Sequence, residues 1–290
     1  MQTKKSRSEY ISVNGLRIHV RRWGTDSDRR LFMLHGWMDC SATFQFLVDC
    51  LEGQWDIVAP DWRGFGKSEW QNSPYWFPEY CADLDAILSI YSRDEPALIV
   101  GHSMGANVTN MVAGMQPDRV AKFVNLDAYG VTLLHDAAEY VEDLGHWIEL
   151  RRKGPPAAKA YATVDEFARR LMRGNPRLTA DRASFLANNF SRVNDRGLIE
   201  AAADPWHRVV SPMLVQGNDS QFWQRVTAPV LWLTGRESHL LELAESGKGD
   251  YELVHSKFQH LSRVVVDGAS HNLHHEQPET VAPLIESFLG

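Results

Sequence analysis

The sequence is poor in cysteine, in clustered positive charge and in long apolar runs, and each shortage removes a class of protein. Three cysteines in 290 residues, Cys40, Cys50 and Cys81, show no C-x-x-C spacing and cannot all pair. That excludes a disulfide framework and a zinc site, and the three read as reduced, buried packing residues. No stretch reaches the roughly 18 consecutive apolar residues that span a bilayer, and the N-terminus lacks the apolar segment of a secretion signal. A soluble cytoplasmic protein with no membrane partner is expected. Acidic side chains outnumber basic ones, 37 to 30, for a formal charge of −7. Only Lys4-Lys5-Ser6-Arg7 gathers positive charge, as a frayed terminus would, so a nucleic-acid partner is excluded. There is no internal repeat and no low-complexity segment. A phosphate loop is missing too: in Asp61-Trp62-Arg63-Gly64-Phe65-Gly66-Lys67-Ser68 the position where Walker spacing needs its first glycine is Asp61. This segment reads as a structural turn after a strand, at the edge of an active-site mouth.

What remains is an ordinary globular composition, 44% hydrophobic and 23% charged, in a chain long enough for one large α/β domain with an inserted lobe. Tyr10 to Val13 and Leu16 to Trp23 are strand-like runs joined by Asn14-Gly15, a dipeptide suited to the positive φ angles of a tight hairpin. Short buried-strand candidates follow at Leu31 to Leu34, Asp56 to Ala59, Ala97 to Val100 and Phe123 to Leu126. Each pair is separated by enough chain for a helical crossover, which predicts a mostly parallel sheet covered on both faces.

After Asp127 this rhythm stops for about a hundred residues, far longer than an ordinary connection. From about Val131 to Val226 the chain is rich in helix formers, as where Val164, Phe167 and Leu171 recur at helical spacing. Gly154-Pro155-Pro156, Gly174-Asn175-Pro176 and Asp204-Pro205 punctuate it. A helical insertion lying over the sheet is predicted. Strands resume at Pro229 to Thr234 and Ser262 to Val266, and an amphipathic helix closes the chain from Pro278 to Leu289.

One motif carries chemistry. Gly101-His102-Ser103-Met104-Gly105 follows an apolar strand and precedes a helix-like stretch to Met115, the context in which G-x-S-x-G lifts a serine onto a sharp turn. The glycines are required because strand and helix backbones approach too closely for side chains there. A serine hydroxyl is a weak nucleophile without a base, and the base needs a third group to orient it. Of the 12 histidines, His271 is the best base, because it follows the last strand, where an open sheet presents its loops; His274 and His275 read as structural. The acid is Asp127, just beyond Phe123 to Leu126, or Glu237 in the loop Thr234-Gly235-Arg236-Glu237-Ser238. Many hydrolases of this architecture carry an aspartate where this chain has Ser238, which favours Asp127. Backbone N–H groups of Met104 and Trp37 are the predicted oxyanion donors.

The ordered set His35-Gly36-Trp37, the Asp61 to Ser68 turn, the Ser103 elbow and His271 resembles the α/β-hydrolase superfamily over essentially the whole chain. Asn125-Leu126-Asp127-Ala128-Tyr129-Gly130, Gly268 to Glu276 and Ala203-Asp204-Pro205-Trp206 resemble its serine hydrolase-like branch, in which the acid follows the sixth strand. The resemblance implies an α/β-hydrolase fold: a mostly parallel eight-stranded sheet with helices on both faces and an inserted helical cap. Its parts would be a first core segment at 1–130, the cap at 131–226 and a second core segment at 227–290. Ala106, where many relatives have glycine, implies slightly looser packing of helix on strand. Gly36-Trp37 and Trp62 to Gly66 are also similar to cofactor-independent dioxygenases of quinolone rings.

The function expected is hydrolysis of a small or medium, apolar carboxylic ester through Ser103, His271 and Asp127, with no cofactor and no metal. His35, His102, Trp147 and Trp206 are the candidate substrate contacts. The partner is a small molecule, apolar or aromatic, since the insertion supplies Trp147, Phe167, Phe185, Phe190, Trp206, Phe222 and Trp223, most of which would be cap core. Two alternatives stand beside this: cofactor-free oxygenation of a heteroaromatic substrate by a His–Asp base, and a non-catalytic small-molecule receptor. An aspartate-nucleophile hydrolase is excluded by Ser103.

Overall fold

A computed structural model of the chain describes residues 3–25, 27, 29–130, 140–210, 219–245 and 255–290. Asn14 and Gly15 both adopt positive φ, 48° and 82°, and close the hairpin between β1 (Ser6–Val13) and β2 (Leu16–Trp23). These strands start an eight-stranded sheet that continues with β3 (Arg30–Leu34), β4 (Asp56–Pro60), β5 (Ala97–His102) and β6 (Val120–Leu126). An insertion then intervenes, carrying three short strands: β7 (Ala160–Tyr161), β8 (Ser191–Val193) and β9 (Ile199–Ala201). β10 (Val230–Gly235) and β11 (Leu261–Val266) complete the large sheet, in the order β1-β2-β4-β3-β5-β6-β10-β11. Within this large sheet only the pairings of β2 with β1 and with β4 are antiparallel.

Alternation along β3 shows why the sheet has helices on both faces. Phe32 and Leu34 belong to one core cluster with Tyr80, Leu84 and Leu88 of the helix Phe77–Tyr91. Leu31 and Met33 belong to the other, with Val281, Ile285 and Leu289 of the helix Pro278–Leu289. Successive side chains of a strand point to opposite faces, so a strand buried on both needs apolar residues throughout. All five residues of β4 and all six of β10 are buried accordingly.

The insertion holds the helices Tyr140–Lys153, Val164–Gly174, Ala180–Asn189 and Asp219–Trp223. Thr163 and Thr179 cap the second and third of these, accepting from the N–H of Glu166 and Arg182. It is not purely helical. β7, β9 and β8 pair as a separate three-stranded sheet, and at two or three residues each they are too short to show an alternation in sequence. The expected cap positions 131–139 and 211–218 lie outside the described residues.

The insertion docks on the Asp61–Ser68 turn. Gly66 N–H donates to Ala202 O at 2.7 Å, Asp204 N–H donates to Gly64 O at 2.8 Å, and Tyr75 donates to the Asp204 carboxylate at 2.8 Å. His207 completes the contact, sandwiched between Phe65 and Tyr75 at centroid distances of 3.7 and 3.8 Å. Asp61 holds the turn itself together. It accepts from the N–H groups of Ser41 and Lys67 and bonds His19 Nδ1 at 2.7 Å. Burial opposes its charge, yet these partners keep its carboxyl well below the ordinary range. Among the described residues no helix is long and apolar enough to cross a membrane.

Candidate active site

Ser103 joins β5 to the helix Met104–Met115 with φ 49° and ψ −115°, a backbone state that costs energy for any L-residue. The flanking glycines let it exist. A Cβ on Gly101 would lie 2.7 Å from Ala106 Cα, and one on Gly105 would lie 2.2 Å from Leu34 O. The elbow is thus wedged against the end of β3, whose loop passes directly over it. A Cβ on Gly36 would meet the Ser103 Cβ at 3.2 Å, so the backbone at Gly36-Trp37 runs beside the serine. Met104, as first residue of its helix, has an N–H for which the helix supplies no acceptor. Ala106, expected to loosen this packing, is fully buried.

Asp127 follows β6, also with positive φ, at 55°, and its N–H is held by Leu233 O at 2.9 Å. Its side chain is fully buried, and Oδ2 lies 2.7 Å from His271 Nδ1. His271 reaches this point from the loop after β11. Ser238 Oγ donates to the same Oδ2 at 2.6 Å. Glu237, the alternative acid, is not at the imidazole; it is half-exposed and pairs with Arg177.

The remaining histidines divide by partner. His35 is buried with both ring nitrogens taken by backbone: Nδ1 donates to Gly36 O at 2.7 Å and Nε2 accepts from Trp62 N–H at 2.9 Å. Burial pulls its pKa down to about 4, so it is a neutral strut of the loop and lines neither of the two cavities that meet at the serine. His102 Nε2 donates to His271 O at 3.0 Å, and burial likewise holds it neutral, well below the usual imidazole range. It supports the His271 backbone and also faces a cavity.

His274 and His275 direct their Nε2 atoms at Thr43 Oγ1, the first at 3.0 Å. Burial lowers both, His275 to about 3. With Asp39 they form the one group of potential metal ligands among the described residues, the three ligand atoms lying within 4.8 Å of one another. The Thr43 hydroxyl sits between the two imidazoles, so the group is built as a hydrogen-bond node. Asp39 is pushed up to about 7 by burial. No spacing in the sequence pointed to this cluster, because Asp39 and His275 are brought together only by the fold.

Two cavities meet at the serine. One, of about 400 Å³, is lined by His271, His102, Asp39, Phe167 and Phe190. The other, of about 340 Å³, is lined by Met104, Tyr75, Phe77, Tyr80 and His207. Ser103 and Trp37 line both. The two insertion tryptophans singled out from sequence line neither. Trp147 is half-buried on the helix Tyr140–Lys153 beneath Arg151, and Trp206 packs against the main core cluster. Both are large aromatics whose role depends on helix rotation, which the sequence does not reveal.

This arrangement agrees with what the chain is similar to. A family model described as alpha/beta hydrolase fold matches residues 29–278. A serine hydrolase-like protein of Danio rerio is 28% identical over 276 residues, covering 92% of this chain and 83% of the relative. A 2-(acetamidomethylene)succinate hydrolase of Mesorhizobium japonicum is 27% identical over 288 residues, covering 97% and 95%. Among solved structures, a thioesterase domain from the curacin biosynthetic pathway superposes with a TM-score of 0.85 at 21% identity, covering 97% of this chain and 99% of that one. An E-2-(acetamidomethylene)succinate hydrolase does so with a TM-score of 0.78 at 23% identity, covering 98% and 99%. The sheet order, the matched family model and these relatives together identify the chain as a hydrolase belonging to the α/β hydrolase fold family.

Proposed function

We propose that the protein is a serine hydrolase of carboxylic esters, working through Ser103, His271 and Asp127. The observation that carries this is the 2.7 Å bond from His271 Nδ1 to a buried Asp127 carboxylate, with Ser103 on its strained turn and His271 opening into the same cavity. That bond assigns the Nδ1 proton to the aspartate side and leaves Nε2 as the base. His271 Nε2 takes the hydroxyl proton as Ser103 Oγ attacks the acyl carbon. The tetrahedral oxyanion accepts from the N–H groups of Trp37 and Met104. His271 then returns the proton to the leaving alcohol oxygen as the C–O bond breaks. A water, deprotonated by the same Nε2, releases the acid from the acyl-enzyme and regenerates Ser103.

Its partner is a small molecule enclosed between sheet and cap. A cytoplasmic location accords with the three free, buried cysteines. Turnover of p-nitrophenyl butyrate by the wild type and by Ser103→Ala tests the reading. The variant should lose activity to the level of background; equal turnover by both would remove Ser103 from the nucleophile role, and oxygen consumption with a heteroaromatic substrate would then favour the oxygenase alternative.

A further inference from the structure

The two cavities that share Ser103 differ in chemistry. The smaller has apolar and aromatic walls from Tyr75, Phe77, Tyr80, Met104 and Val210. The larger is lined by three cations, Lys159, Arg170 and Arg208, against a single carboxylate, Asp39. These cations come from three separate parts of the insertion: the segment before β7, the helix Val164–Gly174 and the turn Pro205–Arg208. Among the described residues none of the three has a carboxylate within 4.0 Å, and all three are exposed to solvent, free to meet an incoming anion. A positive wall in a protein with seven more acids than bases is not a by-product of overall charge. With Asp39 set against them, the three cations still leave the lining with two more positive than negative side chains. Charges of one sign around a cleft focus the field there and recruit the opposite charge.

Position in the reaction assigns each cavity to one half of the substrate, an assignment that rests on the serine-hydrolase reading above. The leaving-group oxygen must receive its proton from His271, which lines the cationic cavity. The acyl carbonyl must face Met104, which lines the apolar one. We propose that the substrate is an ester whose alcohol half bears a carboxylate, held by Lys159, Arg170 and Arg208, and whose acyl half is an uncharged apolar group of up to aromatic size.

Three isosteric esters test this: O-butyryl glycolate, its neutral amide O-butyryl glycolamide, and ethyl hydrogen succinate, which moves the charge to the acyl half. The wild type should show kcat/KM at least tenfold higher for O-butyryl glycolate than for the amide, and should disfavour ethyl hydrogen succinate. In the triple variant Lys159→Gln/Arg170→Gln/Arg208→Gln the ratio of glycolate to glycolamide turnover should fall toward one, and in the wild type it should shrink as salt rises from 20 to 500 mM. The ratio is internal to each enzyme preparation, so a fraction of misfolded variant does not alter it. Equal turnover of glycolate and amide esters by the wild type would overturn the charge preference while leaving the serine mechanism standing. Preference for the succinate would overturn the assignment of halves. No turnover of any of the three by an enzyme that still forms a fluorophosphonate adduct on Ser103 would overturn the substrate class alone, and absence of that adduct would overturn the underlying reading.

Discussion

Ser238 Oγ and His271 Nδ1 share one oxygen of Asp127, at 2.6 and 2.7 Å. Ser238 occupies the loop after β10, where many hydrolases of this architecture carry the acid, and here the hydroxyl steadies a carboxylate supplied from the loop after β6. A buried carboxylate is costly without such partners. The two loops therefore form one unit, with the charge on one strand end and a donor on the other.

That exchange is reversible by mutation. Asp127→Asn should lower kcat by about 10⁴-fold, the loss seen when a triad aspartate becomes an amide and the imidazole takes the wrong tautomer. Adding Ser238→Asp puts a carboxylate within reach of the same ring nitrogen and should recover at least tenfold of the loss. Steady-state kinetics on the single and double variants decide it; a double variant no better than Asp127→Asn would show that position 238 cannot reach His271.

Ser238→Ala alone removes one of the two partners of Oδ2. Leaving a buried acceptor short of a donor costs about 1–3 kcal/mol. Urea denaturation should show a loss of stability in that range, together with a fall in kcat at unchanged KM. A variant as stable and as active as the wild type would mean that the hydroxyl is passive.

Gly105→Ala should be among the most damaging small substitutions in the chain. Its methyl would meet Leu34 O at 2.2 Å and His35 O at 2.8 Å, backbone atoms of a buried strand end that have nowhere to go. Thermal melting should place the variant well below the wild type, by at least the ~1–3 kcal/mol typical of overpacking. Ala106→Gly, by contrast, removes a buried methyl that is already accommodated and should cost only about 1 kcal/mol, the helix propensity difference.

Gly64→Ala tests how the insertion is held. Gly64 has φ +76°, and a Cβ there would lie 2.2 Å from Tyr75 Oη and 2.5 Å from His207 Nε2. The substitution disrupts the stack that seats the insertion on the core. Limited proteolysis should cut the 140–210 region faster in the variant, with KM raised more than kcat is lowered. Identical digestion patterns would contradict the docking role.

Asp39 sets a pH dependence of stability. Its carboxyl titrates near 7 in the fold and near 3.8 unfolded, so between those values the folded state binds the extra proton and stability falls as pH rises. Denaturation at pH 4.5 and at pH 8 should show a smaller decline for Asp39→Asn than for the wild type. Parallel pH profiles would mean that Asp39 is not held protonated.

Much of this site was legible in the sequence because its signals are local. The elbow needs two glycines within five residues, Asn14-Gly15 marks the hairpin turn by itself, the apolar spacing of Pro278–Leu289 is that of an amphipathic helix, and a serine at 238 turns attention to the carboxylate at 127. What was not legible depends on distance. The role of His35 as a strut needs Trp62, and the clustering of Asp39 with His274 and His275 needs a fold that joins opposite ends of the chain. The same holds for Asp61, which reads locally as turn punctuation but is the node that His19 and Ser41 converge on. In the insertion, aromatic content suggested a binding surface, and Phe167 and Phe190 do line the larger cavity, as do Lys159, Arg170 and Arg208, whereas Trp147 and Trp206 line neither. Side-chain direction on a short helix is decided by docking, not by composition.

Labelling with a fluorophosphonate followed by peptide mapping bears most directly on the proposed nucleophile. The wild type should gain one adduct, on Ser103, at a rate that falls sharply in Asp127→Asn and disappears in Ser103→Ala. An enzyme that hydrolyses esters yet remains unlabelled at Ser103, or that labels equally well without Asp127, would contradict the account.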